Sequence, residues 1–231
     1  MNKEFIKIEN IPVILWGTKS DSIYIYVHGK NANKEEANSF AEKAVKKGFQ
    51  VLSFDLPEHG ERINEDYPCV VWNGIHDLNI IGAYVHQSWV DIYLYGSSLG
   101  AYFSLLAYKD MPLKKCLFLS PILDMERLIQ NMMKWFSVSE EVLKEKQEIQ
   151  TPIGEMLNWD YYCYVRNNPI NRWNVSTAIL FGSEDNLTER EIVEDFAKRF
   201  DCDLTVLDGG EHWFHTEKQL TILDKWLDKQ I

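Results

Sequence analysis

Positive charge is in short supply: 24 Lys and Arg stand against 35 Asp and Glu, a formal net charge of −11. Binding to a phosphate backbone draws on clustered cations, and no basic stretch interleaved with aromatics occurs, so no nucleic-acid partner is expected. Long apolar runs are also missing, which removes the expectation of a membrane span. The opening residues, Met1 to Lys7, alternate charged and apolar side chains and contain no apolar leader, so a cytoplasmic location is expected. Cysteine is scarce and dispersed: Cys69, Cys116, Cys163 and Cys202 form no C-x-x-C pair or other zinc-like spacing. Reduced thiols follow from that location, and the sequons at Asn174 and Asn186 read as chance matches. No metal or cofactor is expected, because no ligand cluster has a recognised spacing. Repeats and low-complexity linkers are absent as well.

What is present is ordinary for a globular protein: 231 residues, 45% hydrophobic and 26% charged, enough for one good core and short for two. Strand-like and helix-like segments alternate, which predicts an α/β domain with a mostly parallel sheet and helices on both faces. Residues 5–8 and 13–16 read as leading strands, and the β-branched and aromatic run 22–27 as a strong one. Further strands are expected at 50–54, 91–95, 116–119, 177–181 and 203–207. Helices are expected at 34–47, where Ala37, Phe40, Ala41, Ala44 and Val45 keep a helical rhythm, and at 75–87 and 101–108. Gly48 stands where a C-terminal cap glycine belongs. Thr188 with Glu191 and Thr216 with Gln219 have capping-box spacing, and the last helix is expected to bury Leu220, Leu223 and Leu227. Residues 124–172 break the alternation. They read as helices and loops without a strand, an insertion within a single domain spanning 1–231.

Chemistry concentrates at strand ends. Gly96-Ser97-Ser98-Leu99-Gly100 matches G-x-S-x-G between an expected strand and an expected helix. A sharp turn there exposes a serine hydroxyl, and the helix N-terminus favours negative charge beside it. Ser98 is the candidate nucleophile, with Ser97 its neighbour and rival. A serine hydroxyl needs a base. Of six histidines, His212 lies on a glycine-rich loop after the last strand, with His215 as the second candidate. His76 and His86 fall in a helix and read as surface or core residues. The base needs an acceptor to fix its tautomer, and Asp185, just past a strand end, fits; Glu184 and Asp124 are rivals.

With these residues together, the sequence resembles the α/β-hydrolase superfamily, most nearly its compact esterase, lipase and serine-aminopeptidase-like branch with a small cap. His28-Gly29 after a strand, Asp55 with His59-Gly60, the Gly96–Gly100 turn, Asp185 and His212 carry the resemblance. It implies an oxyanion hole made of the backbone N–H groups of Lys30 and Leu99, with His28 propping the loop. Glu61 departs from the small residue often found there. The resemblance makes 124–172 a cap over the site, whose Trp135, Phe136, Trp159, Tyr161, Tyr162 and Tyr164 line a pocket or hold the cap in place. The expected function is a serine hydrolase on acyl bonds, a carboxylesterase for small soluble esters. A thioesterase, an amidase or peptidase with the same triad, and a non-catalytic ligand binder of the same fold stay open.

Overall fold

The structure is a computed structural model describing residues 1–231. In chain order it runs β1 (Lys3–Ile8), β2 (Ile11–Trp16), β3 (Ser22–Val27), α1 (Asn38–Lys46), β4 (Gln50–Phe54), α2 (Val71–Ser88), β5 (Asp91–Ser97), α3 (Leu99–Ala107) and β6 (Lys115–Leu119). An inserted segment follows, with α4 (Met125–Trp135), α5 (Glu140–Lys146), β7 (Glu148–Gln150), β8 (Met156–Asn158) and α6 (Trp159–Asn167). The chain returns to β9 (Thr177–Gly182), α7 (Arg190–Arg199), β10 (Asp203–Leu207) and α8 (Glu217–Gln230).

Eight strands form one sheet in the order β1-β2-β4-β3-β5-β6-β9-β10. The pairs β1–β2 and β2–β4 are antiparallel, and every pair from β4 to β10 is parallel. Parallel strands covered on both faces read as unbroken apolar runs, and β3 shows how. Ile23, Ile25 and Val27 point into one core with Leu94, Phe118 and Ile179, under Leu78, Ile81 and Phe103 of α2 and α3. Tyr24 and Tyr26 point the other way, to Tyr95, Leu117 and Leu180, under Phe40 and Ala44 of α1 and Trp226 and Leu227 of α8. Each such buried side chain contributes about 1.5–3 kcal/mol, and the period of two divides that contribution between both faces. No helix is long and apolar enough to cross a membrane.

Four local expectations need correction. Residues 34–37 form a 3-10 turn before α1, because the Asn33 side chain accepts from the Glu35 N–H and caps that turn separately. The insertion holds a strand pair after all: β7 and β8 are antiparallel, Glu148 opposite Asn158, too short for any periodic signal. The Thr188 box does not form. Its hydroxyl binds the Pro121 carbonyl at 3.3 Å, and α7 starts after Glu189 without a side-chain cap. The Thr216–Gln219 box does form on α8, but that helix buries Trp226 and Leu227 while Leu220 is exposed.

Candidate active site

Ser98 sits between β5 and α3 with φ 49° and ψ −118°, in the sparsely populated left-handed half of backbone space. Such a conformation costs a non-glycine residue about 1–3 kcal/mol, so its surroundings must impose it. The Ser98 N–H donates to the Leu119 carbonyl at 3.0 Å, and the Ser98 carbonyl accepts from Ile122 N–H at 3.3 Å. The flanking glycines have steric reasons. A Cβ on Gly100 would lie 2.3 Å from the His28 carbonyl oxygen, and one on Gly96 would lie 3.0 Å from Ala101 Cα.

The Ser98 hydroxyl lies 2.8 Å from His212 Nε2, and His212 Nδ1 lies 2.6 Å from Asp185 Oδ2. A carboxylate only accepts, so Nδ1 carries the proton and Nε2 is left to accept from Ser98. The Asp185 carboxylate is fully buried, and its other oxygen accepts from Leu187 N–H at 2.8 Å and Thr188 N–H at 3.0 Å. Its three donors fix it in place. The loops bearing Asp185 and His212 meet at two glycines: a Cβ on Gly182 would lie 2.3 Å from the Gly210 carbonyl oxygen.

Residues 28–34 run past the turn so closely that a Cβ on Gly29 would lie 3.2 Å from Ser98 Cβ. This loop hangs from the segment after β4. His28 Nδ1 lies 2.7 Å from the Gly29 carbonyl oxygen, and its Nε2 accepts from Leu56 N–H at 3.1 Å. Burial, opposed by the Gly29 bond, lowers the His28 pKa to about 4, so the ring is neutral at pH 7. His59 Nε2 accepts from Asn31 N–H at 3.1 Å, while its Nδ1 lies 2.7 Å from the Pro57 carbonyl oxygen. Further along, Lys34 Nζ is buried 2.7 Å from Asp55 and also meets Glu61 at 2.8 Å. Burial works against the Lys34 charge, but the bonds to Asp55 and Glu61 outweigh it and raise its pKa. The Lys30 N–H has no acceptor within the protein. Leu99 opens α3, where N–H groups have no carbonyl one turn behind them.

No family model and no curated protein sequence matches this chain. Solved structures do. Est1E from Butyrivibrio proteoclasticus, with ferulic acid bound, aligns over 98% of this chain and 96% of its own at 17% identity, with a TM-score of 0.76. Mouse alpha/beta hydrolase domain-containing protein 10 aligns over 99% and 98% at 18% identity, TM-score 0.74. An esterase of Pyrococcus furiosus aligns over 99% and 88% at 18% identity, TM-score 0.71. The chain has the α/β-hydrolase fold.

Within this α/β-hydrolase fold, Ser98, His212 and Asp185 converge from three loops at the C-terminal ends of β5, β10 and β9. The rivals lie apart from them. His215 is exposed, its Nδ1 2.9 Å from the Trp213 carbonyl oxygen and 3.3 Å from Glu211. Asp124 caps α4 by accepting from Arg127 N–H, and Glu184 points to solvent. Ser97 bonds to no histidine. A cavity of about 300 Å³ lined by Tyr102, Leu123, Asp124, Val165 and Phe196 does not include the serine or its histidine. Sequence reading missed the acceptor role of His59, the Lys34–Asp55 pair and the contact of Lys30 Nζ with Glu155 of the insertion. The clue to the Lys34 pair was present: Glu61, the unexpected residue after His59-Gly60, is its second carboxylate.

Proposed function

We propose that this chain is a serine hydrolase acting on acyl bonds, a carboxylesterase for small soluble esters. The observation that carries the reading is the continuous relay from Ser98 through His212 to the buried Asp185, at 2.8 and 2.6 Å. In this reading, Ser98 Oγ attacks the acyl carbonyl as His212 Nε2 takes its proton. Asp185 holds the tautomer and stabilises the imidazolium that forms. The Lys30 and Leu99 N–H groups receive the oxyanion of the tetrahedral intermediate, each contributing about 3 kcal/mol of barrier lowering. His212 then protonates the leaving alcohol, and water, activated by the same histidine, releases the acid from Ser98. Residues 1–231 form one domain in this reading, with 124–172 as its cap, tied to the oxyanion loop through Glu155 and Lys30. That Est1E, at 17% identity, holds ferulic acid supports a small aromatic acyl group as one to try first.

The test is labelling by a fluorophosphonate probe, with Ser98→Ala and His212→Ala as controls. Labelling of the wild type that disappears in both variants supports an activated serine. A folded wild type that neither labels nor turns over esters, thioesters or amides would overturn the reading in favour of a ligand-binding protein. Should thioesters or amides be turned over faster than esters, the serine mechanism stands and the ester assignment falls.

A further inference from the structure

The two peptide groups flanking Lys30 are each held by an imidazole. On the N-terminal side, the Gly29 carbonyl is 2.7 Å from His28 Nδ1. A trans peptide is planar with its C=O and N–H opposed, so holding the Gly29 carbonyl toward His28 turns the Lys30 N–H the opposite way. On the C-terminal side, Asn31 N–H donates to His59 Nε2 at 3.1 Å. Asn31 has φ 62°, a left-handed conformation that its neighbours must maintain. The His59 ring has one state that fits. The Pro57 carbonyl, 2.7 Å from Nδ1, can only accept, and Asn31 N–H can only donate, so the proton lies on Nδ1 and Nε2 is the acceptor. His59 is itself fixed, buried in a loop whose Gly60 packs so tightly against the Asp55 carboxylate that a Cβ there would lie 2.2 Å away.

We propose that His59 is a positioning residue for the oxyanion hole: as the neutral Nδ1–H tautomer it holds Asn31 in its left-handed conformation and so aims the Lys30 N–H at the substrate. His59 touches no reacting atom and acts only through Asn31. The proposal rests on the assignment of Lys30 N–H as an oxyanion donor, but the hydrogen bond itself can be tested separately.

The experiment compares wild type, His59→Gln and His59→Leu by steady-state kinetics on a soluble nitrophenyl ester, with thermal unfolding and amide exchange at Asn31 alongside. Glutamine places an acceptor oxygen near the position of Nε2; leucine fills the space without one. Misaiming one donor acts on the transition state, so His59→Leu is expected to lower kcat about 100-fold with KM within about threefold, and His59→Gln to recover most of that loss. Asn31 exchange should accelerate in the leucine variant alone. A folded His59→Leu protein with wild-type kcat and a protected Asn31 amide overturns the proposal. So does equal impairment of the glutamine and leucine variants, which would make His59 a packing residue. Should neither variant fold, nitrogen chemical shifts of the wild-type imidazole decide: an unprotonated Nε2 supports the proposal and a protonated one defeats it. Absence of any Ser98-dependent turnover would sink the hydrolase reading instead, while exchange and tautomer still report on His59.

Discussion

At Asp185 three hydrogen bonds arrive at one buried carboxylate, and only one comes from a histidine. The two backbone donors orient the group before His212 is considered, so Asp185→Asn changes the chemistry more than the packing. An amide there would offer a donor to Nδ1 and favour the wrong tautomer, so kcat is expected to fall about 10⁴-fold while the thermal midpoint moves little. Kinetics on Asp185→Asn and Asp124→Asn side by side checks this, since Asp124 caps α4 and its loss should leave kcat alone. At His28 the prediction concerns pH. Burial holds its pKa at about 4 in the folded chain against an ordinary 6.5. Between those values the unfolded chain binds a proton that the folded chain refuses. Stability therefore falls as pH drops from 6.5 toward 4, by up to about 3 kcal/mol from this group. Denaturant titrations across that range should show a shallower slope in His28→Gln, which keeps an acceptor for Leu56 N–H without the titration.

At the scale of elements, legibility followed the size of the signal. β3 was plain in sequence because both its faces are buried and its β-branched and aromatic side chains form an unbroken run. The turn at Ser98 was plain because its glycines answer steric limits that a sequence records: Gly100 leaves no room for a side chain beneath the His28 carbonyl. Gly100→Ala should accordingly destabilise the fold by about 3 kcal/mol or more, measured by chemical denaturation, because backbone and not a flexible side chain must yield. The β7–β8 pair escaped notice, since three-residue strands carry no periodicity. The start of α7 was misplaced because Thr188 has a competing acceptor, Pro121, contributed from 67 residues away. The acceptor role of His59 escaped for the same reason: its partner Asn31 lies 28 residues earlier, and no local pattern records that meeting.

Across the whole molecule, charge is distributed so that buried ions are paired while exposed ones are mostly acidic. Lys34, buried against Asp55, and Arg62, buried 2.5 Å from Asp77, both brace the segment after β4 from which residues 28–34 hang. Removing Asp77 leaves the buried Arg62 with the half-exposed Glu65 as its one remaining carboxylate, so Asp77→Ala should cost about 3 kcal/mol in denaturant unfolding. The partly exposed contact between Lys30 and Glu155 belongs to another class. Glu155→Ala should change stability by less than about 1 kcal/mol, although it releases the insertion from the core loop.

The meeting of Gly182 and Gly210 has a consequence for how such a protein can be changed. With no side chain between them and backbone nearly touching backbone, the segments bearing Asp185 and His212 behave as one inextensible joint. Lengthening either would pull the other out of alignment, so changes in length are better accommodated in the inserted segment 124–172. There a sequence can grow or be exchanged while the distance from Asp185 to His212 stays as it is.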